Sequence, residues 1–228
     1  MVALVPAYNE AGRIGQVLAV LRDLPEITEV VVINDGSRDA TGQEAEAARV
    51  ADPRLRVVHH QVNQGKGQAL ETGVAEVAAD YLLLLDADLR DLEPRHVRAL
   101  CEPVLAGQAD MSVGLFRGGR WNTDLAHRLT PWLSGQRCLR ASLWRDVCPT
   151  AAQGYGVEAA LTVAARQNHW RVAWVAFDGV HHPPCESHRG PFHGVLTRGR
   201  MYRQVVRAWY LSSRWRRELR QLNELHRM

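Results

Sequence analysis

The sequence predicts an α/β protein with a doubly wound, mostly parallel sheet, flanking helices and a long C-terminal amphipathic helix. Three observations lead to this fold class. First, short aliphatic runs alternate with segments of helical periodicity through the first half of the chain. Second, the run at residues 81–85, Tyr-Leu-Leu-Leu-Leu, is continuous, which is typical of a central parallel strand covered by helices on both faces. Third, the arginines and aromatic residues from Phe192 onward follow one helical pattern.

Four strand-and-helix units make up the first half of the chain. The strands are predicted at residues 2–5, Glu29–Asn34, Leu55–His59 and 81–85. Apolar residues at i, i+3, i+4 and i+7 indicate a helix after the first strand, namely Ile14, Val17, Leu18 and Leu21. A second helix begins at about Thr41. A third helix follows the third strand, and its inward-facing residues are Ala69, Leu70, Gly73, Val74 and Val77. The fourth helix spans residues 93–106, with Pro94 near its first turn.

The second half of the chain is less regular. Strands are predicted at residues 110–116, 134–140 and 171–177, a turn at residues 118–119 and a helix at residues 156–166. A polar, proline-containing loop follows at residues 181–189. The remainder is predicted as one Arg-rich helix with a candidate break at residues 212–213.

Bulk composition limits the classes of protein to which this chain can belong. With 228 residues, 46% hydrophobic and 23% charged, it fits a soluble globular domain with a sizeable core. The net charge of +3 is too small to indicate a nucleic-acid partner. No apolar run approaches the roughly 20 residues of a membrane span, and the first residues are predicted as a strand rather than a signal peptide. The cysteines form no Cys-x-x-Cys pair, which indicates reduced thiols and a cytoplasmic location; they are Cys101, Cys138, Cys148 and Cys185.

Two carboxylates follow the aliphatic run at residues 81–85. Asp86 and Asp88 are spaced i and i+2, so both side chains point to the same side of an extended chain. Two like charges at this separation repel each other unless a cation lies between them. Oxygen ligands at the end of a strand suit Mg²⁺ or Mn²⁺ that carries substrate phosphates. The alternative is that the two aspartates only end the strand and begin a turn.

Lys66 is the only lysine among 28 basic residues, all the others being arginine. Its compact ammonium group suits a phosphate oxygen where the planar fork of arginine does not fit. Gly65 and Gly67 flank it, which lets the backbone approach a ligand closely. The alternative is that one lysine has survived by chance in an arginine-biased sequence.

Four unusual segments follow the first four strands, one after each strand. They are Pro-Ala-Tyr-Asn-Glu at residues 6–10, Asn-Asp-Gly-Ser at 34–37, Asn-Gln-Gly-Lys at 63–66 and Asp-Ala-Asp at 86–88. In open parallel sheets, ligands bind beyond the carboxyl ends of the strands. The absence of a G-x-G-x-x-G turn, and of Ser or Thr after Lys66, argues against a dinucleotide fold and a Walker A loop. We therefore expect a nucleotide site in which Asp35 accepts from a base or ribose, Lys66 holds a phosphate and the aspartates hold a metal.

These four motifs, in this order and spacing, resemble glycosyltransferase family 2 with the GT-A fold. That family uses nucleotide-diphosphate sugars and a divalent metal, so the resemblance implies Mg²⁺ or Mn²⁺ as the cofactor. It also implies that Asp88 binds the metal and that Asp86 is a catalytic residue facing the ribose or the sugar. The nucleotide-sugar site that the resemblance implies comprises Pro6, Ala7, Tyr8, Glu10, Asp35, Gly65, Lys66, Asp86 and Ala87.

Two segments of the second half are similar to the acceptor side of polyprenol-phosphate hexosyltransferases and glucosyl-3-phosphoglycerate synthases. They are Ser-Gly-Gln-Arg at residues 134–137 and Gly-Tyr-Gly-Val-Glu at residues 154–158. The catalytic candidate among them is Glu158, as the base if the acceptor is a hydroxyl and as a positioning group if the acceptor is an ionised phosphate. Its alternative role is a favourable interaction with the helix N-terminus. The implied acceptor residues are Gly135, Gln136, Arg137, Tyr155 and Glu158.

A histidine pair lies where such enzymes complete the metal site with a late histidine. We expect His182 to join Asp88 on the metal, with His181 as the neighbour that could replace it. The following Pro-Pro-Cys-Glu-Ser-His segment departs from related sequences, which often carry basic residues here. One alternative is a histidine cluster whose members are hydrogen-bonded within the loop, and another is a structural zinc site, since imidazole and thiolate suit Zn²⁺. Its ligands would come from His181, His182, Cys185, His188 and His193.

These observations predict a GT-A glycosyltransferase domain at residues 1–190 and a C-terminal Arg-rich helix at residues 191–228. Residues 1–117 are expected to bind the nucleotide sugar and residues 118–190 the acceptor. The basic helix either lies on the inner face of an anionic membrane or packs its apolar side on the core.

The expected reaction moves a hexose from a nucleotide-diphosphate sugar to a phosphate-bearing or lipid-linked acceptor. A UDP-sugar is favoured as donor, with GDP-mannose as the alternative, and no nucleic acid is expected as a partner. The competing class is a non-catalytic nucleotide-sugar-binding or membrane-associated scaffold protein on the same fold.

Overall fold

Seven strands form one sheet in the computed structural model, which describes residues 1–117, 134–147 and 156–181. The strands are β1 (Val2–Ala7), β2 (Glu29–Asn34), β3 (Leu55–His59), β4 (Tyr81–Leu84), β5 (Met111–Arg117), β6 (Arg137–Arg140) and β7 (Val172–Asp178). The α-helices in these ranges are α1 (Ile14–Arg22), α2 (Thr41–Ala51), α3 (Lys66–Ala75), α4 (Pro94–Leu105) and α5 (Gly156–Gln167). A short 3₁₀ helix follows β6 at Ala141–Asp146.

The strands are arranged in the order β3-β2-β1-β4-β6-β5-β7. The first four along the chain are parallel, with β1 between β2 and β4, and β3 beside β2. β6 lies antiparallel between β4 and β5, and β7 runs parallel to β5. The predicted doubly wound, mostly parallel sheet is therefore confirmed. The antiparallel insertion of β6 was not predicted, because it depends on pairing between strands distant in sequence.

Two apolar cores cover the two faces of the sheet, as the alternation along β1 shows. Ala3, Val5 and Ala7 face the core that includes residues of α1, α2 and α4. Val2 and Leu4 face the opposite core, with residues of α3 and α5. Because both faces are buried, the central strands are aliphatic at consecutive positions. The predicted inward face of α1 is buried as expected, at Ile14, Val17, Leu18 and Leu21.

Most strand and helix boundaries lie within one or two residues of the sequence prediction. The exception is β6, which begins at Arg137 because residues 134–136 have no regular secondary structure. The predicted turn at residues 118–119 and the helix from Phe192 lie outside the described residues. None of the helices in the described ranges is both long and apolar enough to span a bilayer.

The guanidinium group of Arg54, just before β3, binds the C-terminal end of α1 and the segment that follows it. It donates hydrogen bonds to the carbonyl oxygens of Arg22 (2.8 Å), Leu24 (2.9 Å) and Ile27 (2.8 Å). It also donates to both carboxylate oxygens of Asp52, at 2.9 and 2.8 Å. These bonds satisfy carbonyl groups that a helix end leaves without intrahelical partners.

Arg54→Ala should lower the free energy of unfolding by about 2–3 kcal/mol, because several buried carbonyls and Asp52 would lose charged donors. Urea unfolding followed by circular dichroism measures the change. Arg56→Ala is the matched control, since Arg56 pairs with Glu29 and Glu76 but is 39% exposed. We expect the control to cost about 0–1 kcal/mol. Equal costs for the two variants would contradict the role given to Arg54.

Asp52→Asn should make stability less dependent on pH in the acid range. Hydrogen bonds from Arg54 lower the pKa of Asp52 and outweigh burial, which acts in the opposite direction. The carboxylate therefore stabilises the native state above its ordinary pKa of about 4, and this contribution is lost as pH falls through the lower native pKa. Unfolding free energies should differ between wild type and variant at neutral pH and converge in acid. A difference that stays constant with pH would show that Asp52 does not act through its charge.

Candidate active site

The carboxyl ends of β1, β2 and β4 meet at one edge of the sheet, since these strands are parallel neighbours. The segments at residues 6–10, 34–37 and 86–88 lie at that edge. β6 runs in the opposite direction, so the residues before it lie at the same edge. The first turn of α5 contributes Glu158. The sheet thus gathers both the first-half motifs and two segments of the second half.

Lys66, the first residue of α3, lies between two candidate catalytic carboxylates. Its Nζ donates to Asp86 Oδ1 at 2.5 Å and to Glu158 Oε1 at 2.6 Å. The side chains of Lys66 and Asp86 are only about one-fifth exposed, at 21% and 19%, and that of Glu158 is 9% exposed. One ammonium group therefore joins residues that are far apart in sequence and come from three different elements.

The charge of Lys66 is maintained by these partners. Burial disfavours the charged ammonium, but the carboxylates of Asp86 and Glu158 outweigh burial and raise the pKa of Lys66 above its ordinary value. Lys66 consequently remains protonated throughout the neutral range. The site thus carries a fixed cation among several acidic groups.

Asp86 is held from its other side by Gln136. Gln136 Nε2 donates to Asp86 Oδ2 at 2.7 Å, and the Asp86 backbone N–H donates to Gln136 Oε1 at 3.0 Å. Gly135 packs directly against the same groups. A Cβ atom at position 135 would lie 2.6 Å from Asp86 Oδ2 and would also collide with Lys66 Nζ, so a larger residue would displace the Lys66–Asp86 pair.

Arg137 is buried, with 1% of its surface exposed, and its guanidinium bonds to protein groups. It donates to the carbonyl oxygens of Ser134 (3.0 Å) and Glu158 (3.1 Å) and to Thr162 Oγ1 (3.1 Å). Burial lowers the pKa of Arg137 to about 10, although the Glu158 carboxylate acts to raise it. Arg137 therefore fixes the first turn of α5, on which Glu158 is carried.

Glu10 and Asp88 add further negative charge to the site. Burial and, after it, the nearby carboxylates of Asp88 and Asp86 together raise the pKa of Glu10 to about 7, against the opposing effect of Arg13. Arg13 Nε lies 3.0 Å from Glu10 Oε2 as an ion partner. That buried oxygen nevertheless accepts no hydrogen bond from the described residues.

Asp35 is buried, with 2% of its surface exposed, and protein donors engage both of its oxygens. Oδ1 accepts from the Gln64 N–H (2.9 Å) and contacts His60 Nδ1 (2.7 Å), and Oδ2 accepts from the Gly65 N–H (2.7 Å). Gly65 has a φ of 91°, a left-handed conformation that favours glycine. In this structure Asp35 therefore shapes the turn that leads into Lys66, and its contact with base or ribose stays a prediction.

Side chains before α2 and in its first turn accept hydrogen bonds from the backbone of the loop after β1. Ser37 Oγ accepts from the Asn9 N–H (3.0 Å), Thr41 Oγ1 from the Glu10 N–H (2.7 Å), and the Glu44 carboxylate from the Gly12 N–H (2.9 Å). Sequence reasoning assigned no individual role to Ser37, Thr41, Glu44 or His60. Their side chains act on the backbone of distant segments, and the sequence contains no spacing signal that would identify such contacts.

The other predicted nucleotide-site residues lie at the same edge. Ala7 and Ala87 are buried, Pro6 is half-buried, and Tyr8 is 42% exposed. The Ala7 carbonyl accepts from the Asp35 N–H at 2.8 Å, which joins the ends of β1 and β2.

The predicted residues Tyr155 and His182 lie outside the described residues, as do Cys185, His188 and His193 of the zinc alternative. The His181 backbone pairs with that of Arg90, two residues after Asp88. His181, the first residue of the predicted histidine loop, therefore lies close to the site. Among the residues that the structure describes, no group of three or more His, Cys, Asp or Glu side chains could hold a metal ion by itself.

The chain is similar to known proteins over most of its length. The chain is 28% identical to an undecaprenyl-phosphate mannosyltransferase from Micrococcus luteus over 94% of this chain and 96% of that protein. It is similar to glucosyl-3-phosphoglycerate synthase from Mycobacterium tuberculosis in complex with Mn²⁺, UDP-glucose and phosphoglyceric acid. That structure has a TM-score of 0.71 and 26% identity, and the match covers 92% of this chain and 78% of the other. The same synthase with Mg²⁺ and UDP matches at a TM-score of 0.71 and 27% identity, covering 91% and 76%.

A family model settles the relationship. The model of glycosyl transferase family 2 matches residues 2–158, more than half of the chain, and includes every first-half motif together with Glu158. The seven-stranded, mostly parallel sheet with its flanking helices is the GT-A fold of the synthase structures. The chain is a member of glycosyl transferase family 2, a glycosyltransferase enzyme with the GT-A fold.

Proposed function

We propose that this enzyme transfers a hexose from a nucleotide-diphosphate sugar to a phosphate-bearing acceptor, with the help of a divalent metal. A UDP-sugar is the favoured donor and GDP-mannose the alternative. The observation that carries the proposal is the position of Lys66 between Asp86 and Glu158, beside Asp88 and Glu10, at the ligand-binding edge of the sheet.

The acidic groups at this edge fit a divalent cation. Burial and then the carboxylates of Asp88 and Asp86 raise the pKa of Glu10, so several acidic groups lie close together, and a buried Glu10 oxygen accepts no hydrogen bond from the described residues. Asp88 would hold the ion, with His182 as the further ligand proposed from sequence. Mg²⁺ and Mn²⁺ sites of this kind use one or two carboxylates together with water and substrate phosphates. A bound ion would supply charge neutralisation for the departing diphosphate.

Lys66 would also neutralise charge on the departing diphosphate, in addition to the metal. Negative charge grows on the diphosphate as the glycosidic bond breaks, and a fixed ammonium group at that position stabilises the transition state. Because Asp86 and Glu158 already orient Lys66, little reorganisation is needed when the donor binds. Asp86 would face the ribose or the sugar beside this cation.

Glu158 is the residue proposed to act on the acceptor. If the acceptor nucleophile is an ionised phosphate, Glu158 would position it, and if the nucleophile is a hydroxyl of a phosphate-bearing acceptor, Glu158 would take its proton as the general base. The relatives support this acceptor class, since one is named for undecaprenyl phosphate and the other is crystallised with phosphoglyceric acid. Both acceptors carry a phosphate, and one is lipid-linked while the other is a small molecule. A cytoplasmic enzyme that touches the inner face of the membrane through residues 191–228 is proposed for the lipid-linked case.

Asp88→Asn should abolish the metal-dependent reaction, because it removes the carboxylate proposed to hold the ion. Release of UDP or GDP is measured from UDP-glucose, UDP-galactose and GDP-mannose, with and without Mn²⁺, and with polyprenyl phosphate or 3-phosphoglycerate as acceptor. We expect wild-type activity with one donor, lost on addition of EDTA and at least about 100-fold lower in the variant.

Asp80→Asn is the matched control for this assay, since Asp80 is exposed at the opposite end of β4. It should keep wild-type activity. Failure of the wild type to release nucleotide from every donor would contradict the proposed function. Equal activity of the Asp88 variant with or without EDTA would contradict the metal assignment alone.

Lys66→Ala should weaken binding of UDP by about 10- to 150-fold, the equivalent of about 1.5–3 kcal/mol for a charge-assisted bond. Lys66→Arg should lower turnover, because a planar fork cannot occupy the same position between Asp86 and Glu158. Isothermal titration calorimetry measures binding, and thermal melting confirms that each variant is folded. Arg49→Ala, which removes a cation that is 56% exposed, controls for net charge. An arginine variant with wild-type kinetics would show that Lys66 has no special role.

A further inference from the structure

Gln136 is completely buried, yet its side-chain amide makes polar contacts to a single residue of the site. Both of its polar atoms engage Asp86, one at the carboxylate and the other at the backbone N–H, at 2.7 and 3.0 Å. The sequence similarity implies an acceptor-binding role for Gln136. With none of its surface exposed, the side chain instead faces protein groups in this structure.

We propose that Gln136 is a positioning residue that fixes the orientation of the Asp86 carboxylate relative to Lys66. The inference rests on the proposed function, because it assigns a purpose to the orientation of Asp86 in sugar transfer. Gln136 itself would not touch the substrate.

The register of the sheet explains why a side chain is needed at this point. Leu84 pairs with Arg137 in the antiparallel ladder of β4 and β6, and this is the last pair at the carboxyl end of β4. Continued in the same register, the ladder would place Asp86 opposite Gly135. The regular strands have ended there, so the Gln136 side chain provides the acceptor for the Asp86 N–H. The Gln136 side chain therefore gives the Asp86 N–H the kind of hydrogen bond that a further pair of the ladder would have given it.

The two carboxylate oxygens of Asp86 have different partners. Lys66 binds Oδ1 at 2.5 Å, and Gln136 binds Oδ2 at 2.7 Å. With Lys66 alone, the carboxylate could rotate about its terminal torsion, which is broad for aspartate. A second donor on the other oxygen restricts that rotation. Gly135 limits it further, because its backbone lies so close that a Cβ would be 2.6 Å from Oδ2.

An amide is the chemical group that meets both requirements. It donates to the Asp86 carboxylate and accepts from the Asp86 N–H at the same time. An ionised glutamate could accept but would place a second negative charge beside Oδ2, and a methionine would fill the space without either bond. A residue that served only to pack the core would tolerate methionine, which has a similar length and flexibility.

The test compares Gln136→Met and Gln136→Glu with wild type in steady-state turnover, using the donor and acceptor that the wild type accepts. We expect kcat to fall about 10- to 100-fold in both variants, the range typical of a lost supporting hydrogen bond, while the KM for the donor changes less. Ser112→Ala is the matched control, since Ser112 is equally buried and bonds to the Leu100 carbonyl outside the site. It should lose stability without a comparable loss of kcat.

Amide hydrogen exchange at Asp86 provides a readout that does not depend on activity. The Asp86 N–H should exchange slowly in wild type and faster in Gln136→Met, while the amides of β4 stay protected. Fast exchange in wild type would overturn the proposal even if a Gln136 variant did not fold. A methionine variant with wild-type kcat, or a kcat loss matched by Ser112→Ala, would overturn it as well. Absence of turnover in wild type would contradict the proposed function, and the exchange data would still decide whether Gln136 holds Asp86.

Discussion

The interaction on which the site depends is the pair of hydrogen-bonded ion contacts from Lys66 to Asp86 and Glu158. The sheet edge collects carboxylates from β1, β4 and α5, and burial together with their mutual repulsion raises the pKa of Glu10. The ammonium group of Lys66, whose side chain is mostly buried, offsets part of this repulsion and fixes the carboxylates of Asp86 and Glu158 in space. We propose that the same cation stabilises the charge that develops on the diphosphate of a sugar nucleotide, so the ion contacts that orient Lys66 would also prepare the site for catalysis.

The antiparallel strand β6 is the second determinant of this geometry. Because β6 runs against β4, its amino end reaches the ligand-binding edge, and three successive residues there perform different tasks. Gly135 leaves room for the Lys66–Asp86 pair, Gln136 bonds to Asp86, and Arg137 bonds to the Glu158 carbonyl. The segment that resembles the acceptor side of related enzymes therefore connects the acidic pair to the helix that carries Glu158. We infer that it organises the two halves of the site.

Polar side chains elsewhere at this edge hold the loops of the site through hydrogen bonds. Asp35 bonds to the turn before Lys66, and Ser37, Thr41 and Glu44 bond to the loop after β1. A loop that must present backbone groups to a nucleotide needs such anchors, because its own N–H groups otherwise lack partners when no ligand is bound. Such anchored loops suit a member of glycosyl transferase family 2, because rigid positioning of the sugar donor contributes to its transfer.

The sequence by itself determined the alternation of strands and helices, the edge at which ligands bind and the family, because these follow from local hydrophobic periodicity and from short motifs. Asp86, Asp88 and Lys66 could be recognised from spacing and from the isolation of one lysine in an arginine-rich chain. Only the tertiary structure decided which carboxylates Lys66 joins, since Glu158 lies 92 residues away and its approach depends on the placement of α5. Likewise, the burial of Gln136 and Arg137 follows from the insertion of β6 between β4 and β5. Strand pairing of this kind is set by long-range packing, which leaves no periodic signal in the chain.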